Sequence, residues 1–232
     1  MRRKLVLFDI DGTLLLSRGA GRRAILSAMA GLLPTPEQSH GVRFDGKTDP
    51  QIVRELLSLA GHEDAANPER IATLLDRYVT ALSRELVSPG HVTDVMPGVP
   101  ALLDRVEAEA TAVLGLLTGN VEPGARLKLA SAAIDPARFR VGAYGSDHAE
   151  RSALPAIAAA RAEPHFGRRP AGPEIVIVGD TPADVTCGAS VGARAIGVAT
   201  GSFSAGELTA VGAYAAFDDL SDRDAVWEAI WS

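Results

Sequence analysis

The 232-residue sequence has a single cysteine, Cys187, and only three lysines among its 23 basic residues. One cysteine cannot form an internal disulfide, so a disulfide-stapled scaffold is excluded and a reducing compartment is indicated. No apolar run approaches the ~20 residues of a membrane-spanning helix. The formal charge of −6 argues against nucleic acid or an anionic membrane surface as the main partner.

Apolar residues make up 47% of the chain, which is enough for a substantial hydrophobic core. The opening "MRRKLVLF" imitates a secretory signal, but Asp9 and Asp11 interrupt the apolar stretch too early. We therefore expect a globular protein of the cytoplasm, either a monomer or a homodimer.

Short strand-like segments rich in Val, Ile and Leu alternate with helical patterns along most of the sequence. The segments are 4–8, 111–117, 175–178 and 194–198, with a weaker one at 140–144; the helices are at about 98–109, 122–133, 151–163 and 182–191. Apolar strands that alternate with helices indicate a mostly parallel, Rossmann-like α/β sheet covered by helices on both faces.

Residues 17–94 break this rhythm, because they contain amphipathic helices and no convincing strand. Two of the helices are at 49–61 and 67–87, and each begins with a capping residue and a proline. We predict an inserted helical cap domain at 17–94 and a discontinuous core domain made of 1–16 and 95–232.

Polar side chains follow three of the predicted strands. Asp9 and Asp11 follow the first in "DIDGT", Thr118 follows the second in "TGN", and Asp180 and Asp184 follow the third in "GDTPAD". Ligands of open parallel sheets bind beyond the carboxyl ends of the strands. We therefore expect these groups to share one cleft.

Four carboxylates in one cleft repel one another unless a cation lies between them, and oxygen ligands of this kind select Mg²⁺. With a metal present, an anionic substrate becomes favourable. Thr118 and the amides of Gly119 and Asn120, at a predicted helix N-terminus, are suited to hold a phosphate. The pattern indicates phosphoryl chemistry.

These motifs, in this order, resemble those of the haloacid dehalogenase superfamily, in its phosphoglycolate phosphatase-like branch with an α-helical cap. The resemblance covers nearly the whole chain. It implies a Mg²⁺-dependent phosphatase that hydrolyses a small phosphate monoester and forms an aspartyl-phosphate.

By the same resemblance, Asp9 is the nucleophile, and Asp11 is the general acid and then the base that activates water. Asp9, the backbone carbonyl of Asp11, and Asp180 hold the metal. Asp184 is a ligand or orients one, and Thr118 binds the transferring phosphoryl group.

The superfamily places a cation, usually lysine, ahead of the last motif, and here the sequence departs from the pattern. Arg151, 29 residues before Asp180, has the expected position, and arginine can bind phosphate through two donors. Lys128 is the alternative, although it lies in the helix after "TGN". Lys47, in "FDGKTD", resembles the specificity loop of this branch and is a candidate for substrate binding.

Other functions remain open at this point. A phosphomutase of the same superfamily has both aspartates, whereas a 2-haloacid dehalogenase typically lacks the second one, so Asp11 favours phosphate chemistry. A non-enzymatic receiver domain also gathers aspartates around Mg²⁺, but such a domain is typically ~100–150 residues without a cap. His148 and Cys187 are interpreted as structural.

Overall fold

A computed structural model describes residues 3–33 and 41–232. Its strands are β1 Lys4–Phe8, β2 Leu15–Leu16, β3 Asp94–Val95, β4 Ala112–Thr118, β5 Val141–Tyr144, β6 Ile175–Gly179, β7 Arg194–Val198 and β8 Ala215–Phe217. Six of them form one sheet in the order β5-β4-β1-β6-β7-β8, and all neighbours are parallel. The predicted α/β fold class is thereby confirmed.

Helices of the described residues lie close to all six ranges that the sequence predicts. They are α1 Ala20–Ala28, α2 Asp49–Leu59, α3 Pro68–Leu86, α4 Val99–Ala108, α5 Glu122–Ser131, α6 Leu154–Arg161, α7 Glu163–Phe166, α8 Pro182–Cys187, α9 Ala205–Ala210 and α10 Arg223–Trp231. Four of them, α1, α7, α9 and α10, had no predicted range. The expected helix at 151–163 begins as a 3-10 turn, Arg151–Ala153. Pro155 has no N–H to donate to the carbonyl of Arg151, so regular helix starts only at Leu154.

Strand β1 is central, and its side chains alternate between two cores. Val6 and Phe8 belong to the cluster on one face of the sheet, and Leu5 and Leu7 belong to the cluster on the other. Because successive side chains of a strand point to opposite faces, a strand buried on both sides is apolar throughout. This explains the uninterrupted run before Asp9.

Helices α1, α2 and α3 pack around a third apolar cluster, which includes Leu56, Tyr78 and Leu82. Strands β2 and β3, which the sequence did not predict, pair antiparallel where the chain leaves and re-enters the α/β part. The helical cluster therefore lies between two short connections, and the domain bounds at 17–94 stay a prediction. Among the described residues, no helix is both long enough and apolar enough to cross a bilayer.

Candidate active site

The first part of the site is the loop that leaves β1. Strand β1 lies between β4 and β6. The chain runs from β1 to β4 on one side and from β6 to β7 on the other, so the carboxyl ends of β1 and β6 border the crevice. Asp9 is buried there, and Gly12 follows with a φ of 82°. A Cβ at Gly12 would overlap the carboxylate of Asp180, so glycine is required by both conformation and space.

The second part is the β6–α8 turn, which holds Asp180 and Asp184, both buried. Asp180 accepts a hydrogen bond of 3.1 Å from the Thr13 hydroxyl. Asp184 lies at the third position of α8, where its Oδ2 accepts from the amide of Thr181 at 3.0 Å and from the Thr181 hydroxyl at 2.6 Å. This capping box fixes the Asp184 carboxylate.

Asp9, Asp180 and Asp184 each present a carboxylate oxygen within 4.8 Å of the others. Burial raises the pKa of Asp9 to about 6, although Arg151 opposes the change, and the charges of Asp184 and Asp11 add to it. Burial and the charges of Asp184 and Asp9 raise the pKa of Asp180 well above its usual value. A divalent cation among these oxygens would favour the ionised forms.

Arg151 is buried and lies between two of these carboxylates. Its Nη2 is 3.0 Å from Asp9 Oδ1 and also donates to Asp184 Oδ1. Burial by itself would lower the pKa of Arg151, but the charges of Asp184 and Asp9 outweigh it and hold the pKa above its usual range. The structure thus brings the predicted cation to the predicted nucleophile.

The turn after β4 carries Thr118, Gly119 and Asn120. Thr118 is fully buried, and its hydroxyl oxygen accepts from the Asn120 side-chain amide at 2.8 Å and from the Asn120 backbone at 3.3 Å. The next two amides, at the N-terminus of α5, donate to Asp49 and to the Ser146 hydroxyl. Those helix amides are therefore already occupied, and the turn is tied to other parts of the chain.

Lys128 completes the site, although the sequence interpretation placed it second to Arg151. Its Nζ is 2.6 Å from Asp11 Oδ2 and 2.7 Å from Asn120 Oδ1. The buried residues of α5 are Gly124, Ala125, Lys128 and Leu129. The sequence did carry one signal for Lys128: it lies on the apolar face of a helix, in a chain that has only two other lysines.

The cap contributes residues that sequence reasoning missed. Thr48, the N-cap of α2, donates to the carbonyl of Ala149 at 2.6 Å. Asp49 donates its backbone amide to the carbonyl of Gly119 at 2.8 Å, and its side chain accepts from the amide of Val121 at 2.8 Å. The Asp49 bonds join the start of α2 to the turn after β4, and the Thr48 bond joins it to the chain after β5.

Asp49 is buried, and burial raises its pKa to about 6, opposed by the charge of Lys128 and by the hydrogen bond from Val121. Lys47, just before it, forms an ion pair with Glu55. The carbonyl of Lys47 lies so close to Gly119 that a side chain at that position would overlap it. The loop that resembles a specificity loop therefore rests on the core.

These elements enclose a cavity of about 320 Å³. Its core side is formed by the strand-end residues with Lys128 and Arg151, and its cap side by residues within 16–25 and 44–52 together with Tyr78. The residues of the predicted site that line it are Asp9, Asp11, Lys47, Thr118, Gly119, Asn120, Arg151 and Asp180.

Cys187 and His148, which the sequence analysis interprets as structural, do not line the cavity. Cys187 is buried, its thiol donates to the carbonyl of Asp184 at 3.3 Å, and burial raises its pKa to about 12. His148 accepts a hydrogen bond from the backbone of Glu150. Both contacts agree with the structural interpretation.

Comparisons with known proteins give a family. The sequence matches the family model of haloacid dehalogenase-like hydrolases over residues 6–189. No curated protein matches the sequence significantly.

Solved structures match the fold at low sequence identity. A hydrolase from Pseudomonas syringae has 21% identity and a TM-score of 0.74, with 98% of each chain covered. A predicted phosphoglycolate phosphatase from Haemophilus somnus has 22% identity and a TM-score of 0.69, with 98% of this chain and 99% of that chain covered. A β-phosphoglucomutase from Clostridium difficile has 15% identity and a TM-score of 0.70, with 99% and 97% covered. Because the family model spans most of the sequence and the strand ends carry its motifs, this chain is a member of the haloacid dehalogenase-like hydrolase family.

Proposed function

We propose that the protein is a Mg²⁺-dependent phosphatase that hydrolyses a small, phosphoglycolate-like phosphate monoester. One observation carries the proposal: Asp9, Asp180 and Arg151 are buried together at the inner end of a cavity into which Asp11 opens. A cavity of about 320 Å³ suits a small molecule.

Asp9 is proposed as the nucleophile. A carboxylate oxygen attacks phosphorus, the bond from phosphorus to the leaving oxygen breaks, and an aspartyl-phosphate forms on Asp9. The attack requires the ionised carboxylate. Arg151, 3.0 Å away, favours that form and faces the charge of the phosphoryl oxygens.

Asp11 is proposed as the group that moves the proton. It donates to the leaving oxygen in the first step and takes a proton from water in the second, which releases inorganic phosphate and restores Asp9. Its side chain is 41% exposed, so it can meet both the leaving group and water.

The metal site is proposed at Asp9, the backbone carbonyl of Asp11, and Asp180, and the residues present fit such an ion. The donors are all oxygens, as Mg²⁺ requires. Burial, and after it the charges of neighbouring aspartates, raise the pKa values of Asp9 and Asp180, and a cation would offset both effects. Both oxygens of Asp184 already accept from Arg151 and Thr181, which favours Asp184 as the residue that orients the site. Bound Mg²⁺ supplies charge stabilisation for the phosphoryl oxygens.

Thr118, Gly119, Asn120 and Lys47 are proposed to contact the substrate. Thr118 and the turn after it bind the phosphoryl group, whereas Lys47, on the cap side, faces the rest of the molecule.

A phosphomutase is the second candidate, and the match to a β-phosphoglucomutase over 99% of this chain favours it as the alternative. The two functions are distinguished by their reaction products. A phosphatase releases inorganic phosphate from many monoesters, whereas a phosphomutase converts one sugar phosphate into its isomer.

Replacement of the nucleophile tests the proposal. Asp9→Asn is expected to abolish turnover of 4-nitrophenyl phosphate in Mg²⁺ while circular dichroism stays unchanged, and EDTA is expected to stop the wild-type reaction. Asp76→Asn, at an exposed position of α3, is the matched control and keeps full activity. Substantial turnover by Asp9→Asn would contradict the assignment, and a screen of phosphoglycolate, sugar phosphates and nucleotides would identify the substrate.

A further inference from the structure

Asp11, the proposed acid, has a cation of its own. Lys128 Nζ lies 2.6 Å from Asp11 Oδ2, and the side-chain amide of Asn120 donates to the same oxygen at 2.8 Å. Lys128 also donates to Asn120 Oδ1 at 2.7 Å. The three side chains form a closed triangle of charge-assisted and neutral hydrogen bonds.

The two ends of the Lys128–Asp11 pair differ in exposure. The lysine side chain is 6% exposed and the aspartate side chain is 41% exposed. The ammonium group is thus anchored inside the protein, and the carboxylate projects from it toward the cavity. Arg151 is bonded to Asp9 and Asp184 instead, so the two proposed catalytic carboxylates have separate cations.

Helix α1 of the cap closes over the ammonium group at Gly21. A Cβ at this position would stand 3.1 Å from Lys128 Nζ and 3.4 Å from its Cε. The absence of a side chain lets the helix approach the lysine closely. The lysine side of the pair is largely removed from bulk water, and electrostatic interactions are stronger where the local polarity is low.

We propose that Lys128 is a positioning residue that, together with Asn120, holds Asp11 Oδ2 and leaves Oδ1 as the oxygen that exchanges a proton with the leaving group. The inference rests on the proposed phosphatase function. When the bond from phosphorus to the leaving oxygen breaks, its electron pair stays on that oxygen, which takes the proton from Asp11; Lys128 keeps its own protons throughout.

A positioning role makes a prediction that a structural role does not. An alkoxide is a poor leaving group and needs the proton, whereas 4-nitrophenolate is stable as an anion and needs it little. Loss of a correctly positioned acid therefore slows the hydrolysis of alkyl phosphates far more than that of aryl phosphates. General acid catalysis raises a reaction rate by roughly 10²–10⁴-fold.

The experiment measures kcat/KM of Lys128→Met with 4-nitrophenyl phosphate and with the best alkyl substrate among phosphoglycolate, glycerol phosphate and ethyl phosphate. We expect a loss of about 100-fold or more on the alkyl ester and under about 10-fold on the aryl ester. Arg126→Met, at an exposed position of the same helix, is the matched control, and it is expected to leave kcat/KM unchanged with both esters. An equal loss on both esters, or no loss, overturns the inference.

A double-mutant cycle shows whether Lys128 acts through Asp11. In the Asp11→Asn background, Lys128→Met is expected to cause no further loss of kcat/KM with 4-nitrophenyl phosphate. A further loss equal to that in the wild-type background would mean that Lys128 contacts the phosphoryl group itself, and the inference would be wrong.

Gly21→Ala covers the case in which Lys128→Met fails to fold. Alanine suits a helix better than glycine, so the fold is retained, while the new methyl group displaces Nζ. We expect kcat/KM to fall selectively on the alkyl ester, by a smaller factor than in Lys128→Met. Gly206→Ala, in α9, is the control. An unaltered ratio of the two esters in Gly21→Ala counts against the inference. Failure of the wild-type protein to hydrolyse either ester would instead contradict the proposed function.

Discussion

Arg151 is a buried guanidinium that holds two buried carboxylates, Asp9 and Asp184, in place. Removing one partner of such a group leaves uncompensated charge in the interior and costs about 3–5 kcal/mol. We expect Arg151→Met to lower the free energy of unfolding by this amount in EDTA at pH 7, measured by urea denaturation.

Arg161→Met is the control for this prediction. Arg161 forms an ion pair with Asp147, but its side chain is 45% exposed, and exposed pairs contribute under about 1 kcal/mol. If the free energy of unfolding falls by similar amounts in the two variants, Arg151 does not stabilise the buried carboxylates.

Asp49 makes stability depend on pH. Its pKa is raised by burial to about 6 in the folded chain, so the folded state holds the proton more tightly than the unfolded state. That contribution is present below about pH 4 and is lost as the pH rises through about 6. At about 1.4 kcal/mol per pH unit, we expect Asp49→Asn to gain about 2–3 kcal/mol over wild type between pH 4 and pH 7, in EDTA.

Urea denaturation at both pH values measures this difference. Asp76→Asn, exposed on α3, has no such pH-dependent difference from wild type. If Asp49→Asn differs from wild type equally at pH 4 and pH 7, ionisation of Asp49 has no unfavourable effect on folding.

Site residues that come directly after a strand were easier to predict from the sequence than site residues that only tertiary packing brings together. Asp9, Asp11 and Asp180 stand in motifs at strand ends, and Arg151 was found by its spacing from Asp180. Lys128 was ranked second because it lies in the helix after "TGN" and far ahead of Asp180 in the sequence. Its contact with Asp11 joins residues 117 apart along the chain, and no local pattern records such a contact.

At the scale of elements, the start of α2 is both a helix cap and a joint between the cap and the core. Thr48 accepts from the amide of Gln51 at 3.2 Å and donates to the carbonyl of Ala149. We expect Thr48→Val to lose about 1–2 kcal/mol of stability and to increase hydrogen exchange at 44–49, because both bonds are lost.

Asn67→Ala is the matched control, since Asn67 caps α3 through the amide of Arg70 at 3.1 Å. It should lose cap stability of about 1 kcal/mol without a change in exchange at 44–49. Equal exchange in the two variants would show that the Thr48 bond to Ala149 does not hold this loop.

The long elements were predictable and the short ones were not. The start of α2 has Thr48, Asp49 and a proline in order, which is a strong signal. The sequence favoured the Asx residue Asp49 as the cap, but the cap is Thr48, whose hydroxyl accepts from the amide of Gln51. Strand β8 has three residues, and β2 and β3 have two each, which is too short for an alternating pattern to appear. Helices α9 and α10, which follow β7, were also missed.

At the scale of the whole molecule, Mg²⁺ is expected to stabilise the fold, because it binds the folded arrangement of carboxylates. A concentration 100 times Kd contributes about 2.7 kcal/mol, which raises the Tm of a protein of this size by about 5–10 °C. Differential scanning fluorimetry with Mg²⁺ and with EDTA measures the rise.

Asp180→Asn should lose most of this increase, whereas Asp76→Asn should keep it. A full increase in Asp180→Asn would place the ion elsewhere. The sequence indicated such a site because two strands end in carboxylates and a third ends in a hydroxyl group. It did not indicate that Arg151 would contact both Asp9 and Asp184, since these distances depend on the order of strands in the sheet.

The cavity has two walls of different origin, and this affects how the protein can change over evolutionary time. The groups proposed to act on phosphorus come mainly from the strand ends, whereas the opposite wall comes mainly from residues within 16–25 and 44–52. Substitutions in that wall that leave Gly21 and the start of α2 unchanged alter the shape offered to a substrate and leave the reacting groups in place. New substrate preferences are therefore accessible to this scaffold through single mutations, without an intermediate that has lost its chemistry.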